Sequence, residues 1–308
     1  MELLQTSVQA KKAGARFVAF SVLAAGIISC DTVKGSRESG GGPDEAGTVN
    51  VPYISPEKTF SPSGKPDAGG GMQDAPPKSA IPGPPPGKSA AGCQEGMARF
   101  GSYCIDMYEI HIVSRNGEAH PYFQRPPNGM AGLIARSAGG VFPQGYMNQI
   151  DARLACGNAG KRLCSLAEWQ GACRGSGNNA YPYGSSFVEG KCNTDRKPHI
   201  LDRFFPEIPH LKRMGKEFND PRLLQEPGYL AKTGEFAECA GAEGLHDMAG
   251  NLSEWVHETV ERDGNMFGTF AGGPFSGPLK GGCAHWTNVH AEKYSDYSIG
   301  TRCCADAR

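Results

Sequence analysis

Three things this sequence lacks narrow its reading. There is no surplus of charge of one sign: 31 Lys and Arg stand against 32 Asp and Glu, for a net of −1. No overall field therefore draws the chain to nucleic acid or acidic lipid. The basic residues are scattered rather than gathered in a stripe, so no nucleic-acid partner is expected. Near the N terminus the apolar run Phe17–Ile28 is only twelve residues, too short to span a bilayer comfortably. Between Asp31 and about Gly92 large apolar residues are few, and a segment that cannot bury enough apolar surface cannot offset its ordering entropy.

What is present is glycine (43), proline (23) and cysteine (11). Glycine and proline together make up about a fifth of the 308 residues, well above ordinary usage. The first 29 residues read as a secretory signal, with Lys11, Lys12 and Arg16 ahead of the short apolar run. That run ends in "IISC", where the residue pattern before Cys30 resembles a bacterial lipobox. In such signals the cysteine becomes the lipidated first residue, so the resemblance implies a membrane anchor at Cys30 and an exported lipoprotein of the cell envelope. An ordinary cleaved signal with a chance cysteine is the alternative. Export implies an oxidising compartment, and the ten cysteines after Cys30 are an even number, so all can be cross-linked. Residues 30–92 read as a Gly/Pro-rich tether with an end-to-end distance of about 45 Å.

From Cys93 to Arg308 aromatics, cysteines and short apolar runs continue without another linker, so residues 93–308 read as one domain. "MARFGSYCIDMYEIHIV" reads as strands. "NQIDARLACGNAG" reads as a helix capped by Asn148, with Ile150 and Leu154 on one face and Gly157 or Gly160 at its end. "SLAEWQGAC" reads as a second helix, entered through a capping box of Ser165 and Glu168. The remainder reads mostly as turns. The expected class is α+β, loop-rich and disulfide-stapled.

Four segments in order, "CIDMYEI" (104–110), "GKRLCSLAEWQGACRG" (160–175), "YPYGSSFVEGKCNT" (181–194) and "GLHDMAGNLSEWV" (244–256), closed by "GTRCCAD", resemble the formylglycine-generating enzyme (sulfatase-modifying factor) family. The resemblance spans about 200 residues and implies a modified C-type-lectin-like fold. Active members oxidise a cysteine in a sulfatase peptide, using oxygen and a copper ion held by two cysteines five apart after a Gly-Gly pair; soft thiolates suit Cu(I). Here the candidate pairs are Gly272-Gly273 and Gly281-Gly282, and neither is followed by a C-x-x-x-x-C pair. Copper at such a site is not expected. Nor is iron, because the iron histidines of the related sulfoxide synthases lie largely in a separate helical domain, missing here.

The resemblance also implies two disulfides, Cys156–Cys303 and Cys173–Cys283. Cys93–Cys104 is a natural local bridge. Cys192–Cys239 and Cys164–Cys304 are guesses, since spacing does not settle connectivity and free thiols are the alternative. A structural Ca²⁺ is implied on the side chains of Asp247 and Glu254 and the carbonyls of Gly250 and Leu252, an oxygen set suited to a hard cation. A tight Gly-Asn turn with solvated acids is the alternative. A second family calcium site would use Asn193 and the carbonyl of Thr194, but the further acid is displaced to Glu226. His285 and His290 are five apart, a spacing that does not put both rings on one face. Trp169 and Trp255 read as core, and Trp286 as a surface contact. Two functional classes follow: a catalytically divergent module that binds a peptide, protein or glycan, and an oxidoreductase with a different metal centre, using Cys283, His285 or His290.

Overall fold

The computed structural model describes residues 91–279 and 281–308. The expected signal sequence, the Cys30 lipid site and all but the end of the linker lie outside the described residues. Strands β1 (Met97–Phe100) and β2 (Tyr103–Asp106) form a hairpin, and β3 (Ile110–Ser114) pairs with β4 (Leu133–Ser137) in a second. Helix α1 (Gln149–Asn158), the short β5 (Arg162–Leu163) and helix α2 (Leu166–Arg174) follow. Short helices α3 (Ile200–Phe204), α4 (Gly215–Phe218) and α5 (Arg222–Gln225) lie within a long loop region. The chain closes with β6 (Ser253–Arg262), β7 (Asn265–Ala271), β8 (Trp286–Thr287), β9 (Ile299–Thr301) and β10 (Cys303–Asp306). One sheet runs β1-β2-β10-β5 and another β8-β7-β6-β9, with β9 parallel to β6.

Local chemistry explains both main helices. Asn148 accepts a hydrogen bond from Asp151 N, and Ser165 and Glu168 cap α2 reciprocally. The face of α1 differs from expectation. Leu154 is exposed and Ile150 only half-buried, whereas Ala152, Ala155 and Cys156 point into the core. Small residues let the helix lie close to β4 and β6, and Cys156 must face inward to reach Cys303.

The reading of the later chain as mostly turns also gives way, because β6 and β7 make a long hairpin. Its register shifts between Trp255 and Thr259, leaving a bulge. Gln149 Nε2 reaches into this bulge and donates to the carbonyls of Val256 (2.6 Å) and Glu258 (3.0 Å). Gly268 is required opposite, since a Cβ there would sit 2.7 Å from the Gln149 Oε1 and the Trp255 ring.

Five disulfides cross-link the fold: Cys93–Cys104, Cys156–Cys303, Cys164–Cys304, Cys173–Cys283 and Cys192–Cys239. Cys303 and Cys304 are consecutive on β10, so their side chains leave opposite faces of the strand. One joins the apolar cluster that holds Trp255 and Ile112, the other the cluster that holds Trp169 and Ile105. A single strand thus staples both layers.

Candidate functional site

The loop from Asp247 to Leu252 carries one of the acids expected to hold calcium, Asp247, and leads into β6, which carries the other, Glu254. The loop is tightly wound: Asp247 (φ 56°), Gly250 (φ 85°) and Asn251 (φ 56°) all adopt left-handed conformations. Gly250 also has no room for a side chain, because a Cβ would lie 2.4 Å from the Asn193 carbonyl oxygen and 2.7 Å from Thr194 Cγ2. Asn193 and Thr194 therefore close directly onto this loop. The Asn193 side-chain amide donates to Tyr229 O (2.8 Å) and Asn251 Oδ1 (2.9 Å), and the backbone carbonyl of Asn193 accepts from Asn251 N. Glu226, the displaced acid of the second calcium set, is instead ion-paired with Arg203.

Asn251 is the hub of the loop. Its side chain accepts from Ala231 N (3.0 Å) and donates to Glu109 Oε2 (2.6 Å), while Glu109 Oε1 accepts from Leu252 N (2.9 Å). Glu254 is completely buried and held by Arg302, whose Nε and NH2 donate to its two oxygens at 2.7 and 2.8 Å. Trp169 Nε1 donates to the same Oε2 at 2.7 Å. Arg302 also donates to the carbonyls of Asp106 and His246. Asp247 Oδ2 accepts from Gly234 N at 2.7 Å.

Burial sets the electrostatics. It drives the Glu109 carboxyl far above the usual range, and the negative charges of Asp247 and Glu254 push it further. Asp247 is raised to about 7, again chiefly by burial. Asp106 is raised by burial against the opposing pull of Lys161, which is 2.5 Å away. Glu109 and Arg302 were not among the site residues expected from sequence, and Asn251 was read only as part of a turn. The first two lie within the "CIDMYEI" and "GTRCCAD" landmarks, which was the available signal.

The first glycine pair adjoins this loop. Gly272 N donates to His285 O, its own carbonyl accepts from Gly250 N, and a Cβ added there would lie 3.2 Å from the Trp169 ring. Gly282 is pressed onto Ala180 O and the Tyr181 ring, and Cys283 N donates to Ala180 O at 2.8 Å. Tyr181 stacks on Tyr183 (5.6 Å) and meets Phe187 (5.9 Å), which is 48% exposed. Trp286 is 47% exposed on β8. His285 and His290 are separated by their surroundings: the His285 ring lies near Gly273, while His290 is stacked between Tyr294 (3.9 Å) and Phe270 (5.9 Å). Among the described residues no three His, Cys, Asp or Glu side chains are grouped to hold a metal.

These features define a disulfide-stapled α+β domain of C-type-lectin-like kind, organised around the loop before β6 and the buried Arg302. The chain belongs to the sulfatase-modifying factor enzyme 1-like domain family, whose model matches residues 105–307. No curated protein matches it in sequence. Among solved structures it is similar to CarF, at 19% identity over 65% of this chain and 60% of CarF, with a TM-score of 0.33. It is also similar to PvdO from Pseudomonas aeruginosa, at 16% identity over 66% and 80% of the respective chains, TM-score 0.40. A third is Treponema denticola variable protein 1, at 12% identity over 70% and 93%, TM-score 0.39. The chain spans less than two thirds of CarF's length.

Proposed function

We propose that this is an exported, lipid-anchored protein of the cell envelope whose domain serves as a binding module rather than a thiolate-copper oxidase. Its contact residues are the partly exposed aromatics, Tyr181 with Phe187 and, on β8, Trp286, suited to a peptide, protein or glycan because exposed aromatics supply large contact area with few rotatable bonds. One observation carries the reading. Cys283, the first cysteine after either glycine pair, is bonded to Cys173, and every other cysteine from Cys93 onward is paired as well. Copper chemistry of the family type needs thiolates, and a disulfide sulfur supplies none. The test is a thiol count on denatured, unreduced mature protein, together with copper and iron analysis of the native protein. No reactive thiol and no stoichiometric copper or iron is the expected result. One or two free thiols accompanied by either metal would establish the oxidoreductase reading instead.

A structural calcium at the loop before β6 belongs to the same proposal. Glu109, Asp247 and Glu254 are all buried, and of the three only Glu254 is hydrogen-bonded to the guanidinium of Arg302. Glu254 Oε2 is fully occupied by Arg302 and Trp169, but Oε1 takes one bond and Asp247 commits only Oδ2. One oxygen from each acid, with the carbonyls of Gly250 and Leu252, would hold the ion; calcium accepts such mixed sets. Elemental analysis should find calcium after dialysis, and a chelator should lower the melting temperature by an amount that added calcium restores. A melting temperature unchanged by chelator would leave Arg302 as the loop's only counter-charge.

A further inference from the structure

The β3–β4 hairpin borders a cavity of about 560 Å³ that none of the residues discussed so far as ligands enters. Its volume is that of a small-molecule site. His111 and Arg136 both line it, and they are direct register partners in the hairpin. Cross-strand partners project from the same face, so an imidazole and a guanidinium stand side by side. Neither is neutralised by the protein. His111 Nδ1 is buried without a hydrogen-bond partner, and Arg136 has no ion pair among the described residues. An unpartnered imidazole nitrogen beside an exposed, unpaired guanidinium is a place where an anion can be received, with the imidazole donating from Nδ1.

The remaining lining selects which anion. Lys161 also reaches the cavity, but its ammonium is 2.5 Å from Asp106 Oδ1 and its charge is already matched. Glu95 stands at the exposed edge and opposes any highly charged ligand. With Lys161 matched by Asp106, Arg136 supplies the site's free positive charge and Glu95 at the rim partly offsets it, a balance that suits a monoanion better than a phosphate dianion. Arginine's planar fork fits a carboxylate with two parallel hydrogen bonds. Ile134 and Ala138 offer apolar wall for the body of such a ligand.

We propose that this cavity binds a monocarboxylate, with the carboxylate held by Arg136 and His111 and an aliphatic portion against Ile134. The same chemistry is presented by a short fatty acid and by the C-terminal end of a peptide. Calorimetry on the full-length protein separates them, using hexanoate, acetyl-Ala-Leu with a free carboxylate, the amides of both, and inorganic phosphate. At least one free carboxylate should bind about tenfold or more tightly than its amide, the usual worth of a hydrogen bond to a charged group. Binding by hexanoate alone would identify the fatty source, and binding by the peptide acid alone the chain end. R136Q should cost a similar factor and H111N should weaken binding also, with the melting curve of each variant checked against the parent. Arg136 is exposed, and H111N supplies the same readout if R136Q does not fold. Acid and amide binding equally, phosphate outcompeting both carboxylates, undetectable binding of either acid, or affinity untouched in a folded variant would each overturn the proposal.

Discussion

Arg302 shows how one side chain can organise a domain. It is fully buried, pairs both oxygens of Glu254 and caps two carbonyls from distant segments. Removing one member of such a pair strands the other charge without solvent, which costs about 3–5 kcal/mol. Arg302→Met should therefore destabilise the domain by that amount in urea unfolding, and the double variant Arg302→Met/Glu254→Leu should recover part of the loss. The sequence motif places Asp247 and Glu254 seven residues apart, and the structure has Asp247 on the loop and Glu254 on β6, both buried. The motif did not reveal that Arg302 already holds Glu254, because 48 residues separate them. Nor did it show that Glu109 supports Asn251 across 142 residues. Which polar groups meet at such separations is a matter of topology.

At the scale of elements, local signals worked where their partners lie within a turn. The caps at Asn148 and Ser165 are four-residue devices, and the structure contains both. Glu168 illustrates their electrostatic consequence. Burial raises its carboxyl, but bidentate Arg162 and the bonds from Ser165 outweigh that and leave it below its ordinary value of 4.5. A carboxyl depressed in the folded state stabilises fully above its unfolded pKa and loses that contribution as pH falls through the folded one. Unfolding free energy should thus decline below about pH 4.5 with a contribution from this site, and Glu168→Gln should flatten that part of the profile while lowering stability at pH 7. The β6–β7 hairpin went unread although its turn, Asp263-Gly264, is a strong short-range signal with both residues at positive φ. Charged residues from Glu258 to Arg262 obscured it: that half of β6 is largely solvent-facing, so it shows no apolar run. In α1 an amphipathic pattern misled, since small residues and a cystine, not Ile150 and Leu154, face the core.

At the scale of the molecule the cross-links tie together segments far apart in sequence. Cys156–Cys303 and Cys173–Cys283 span 147 and 110 residues, against 11 for Cys93–Cys104. Chain-entropy estimates give about 5 kcal/mol for each long bridge and about 3 kcal/mol for the short one. Cys173→Ala/Cys283→Ala should accordingly lower the melting temperature more than Cys93→Ala/Cys104→Ala does, and a reversal of that order would show that strain or residual unfolded structure dominates.

Composition and local pattern by themselves established an even set of ten cysteines from Cys93 onward, two capped helices and an ordered series of family motifs that implied the fold. These are properties of the chain read a few residues at a time, or of its inventory. Tertiary structure alone decided that Cys303 and Cys304 staple opposite layers, that Arg302 and Glu109 brace the loop before β6, and that His111 and Arg136 face one cavity. Each of those depends on strand register and on which buried charges find partners, and both are settled only when distant segments pack and water is excluded between them.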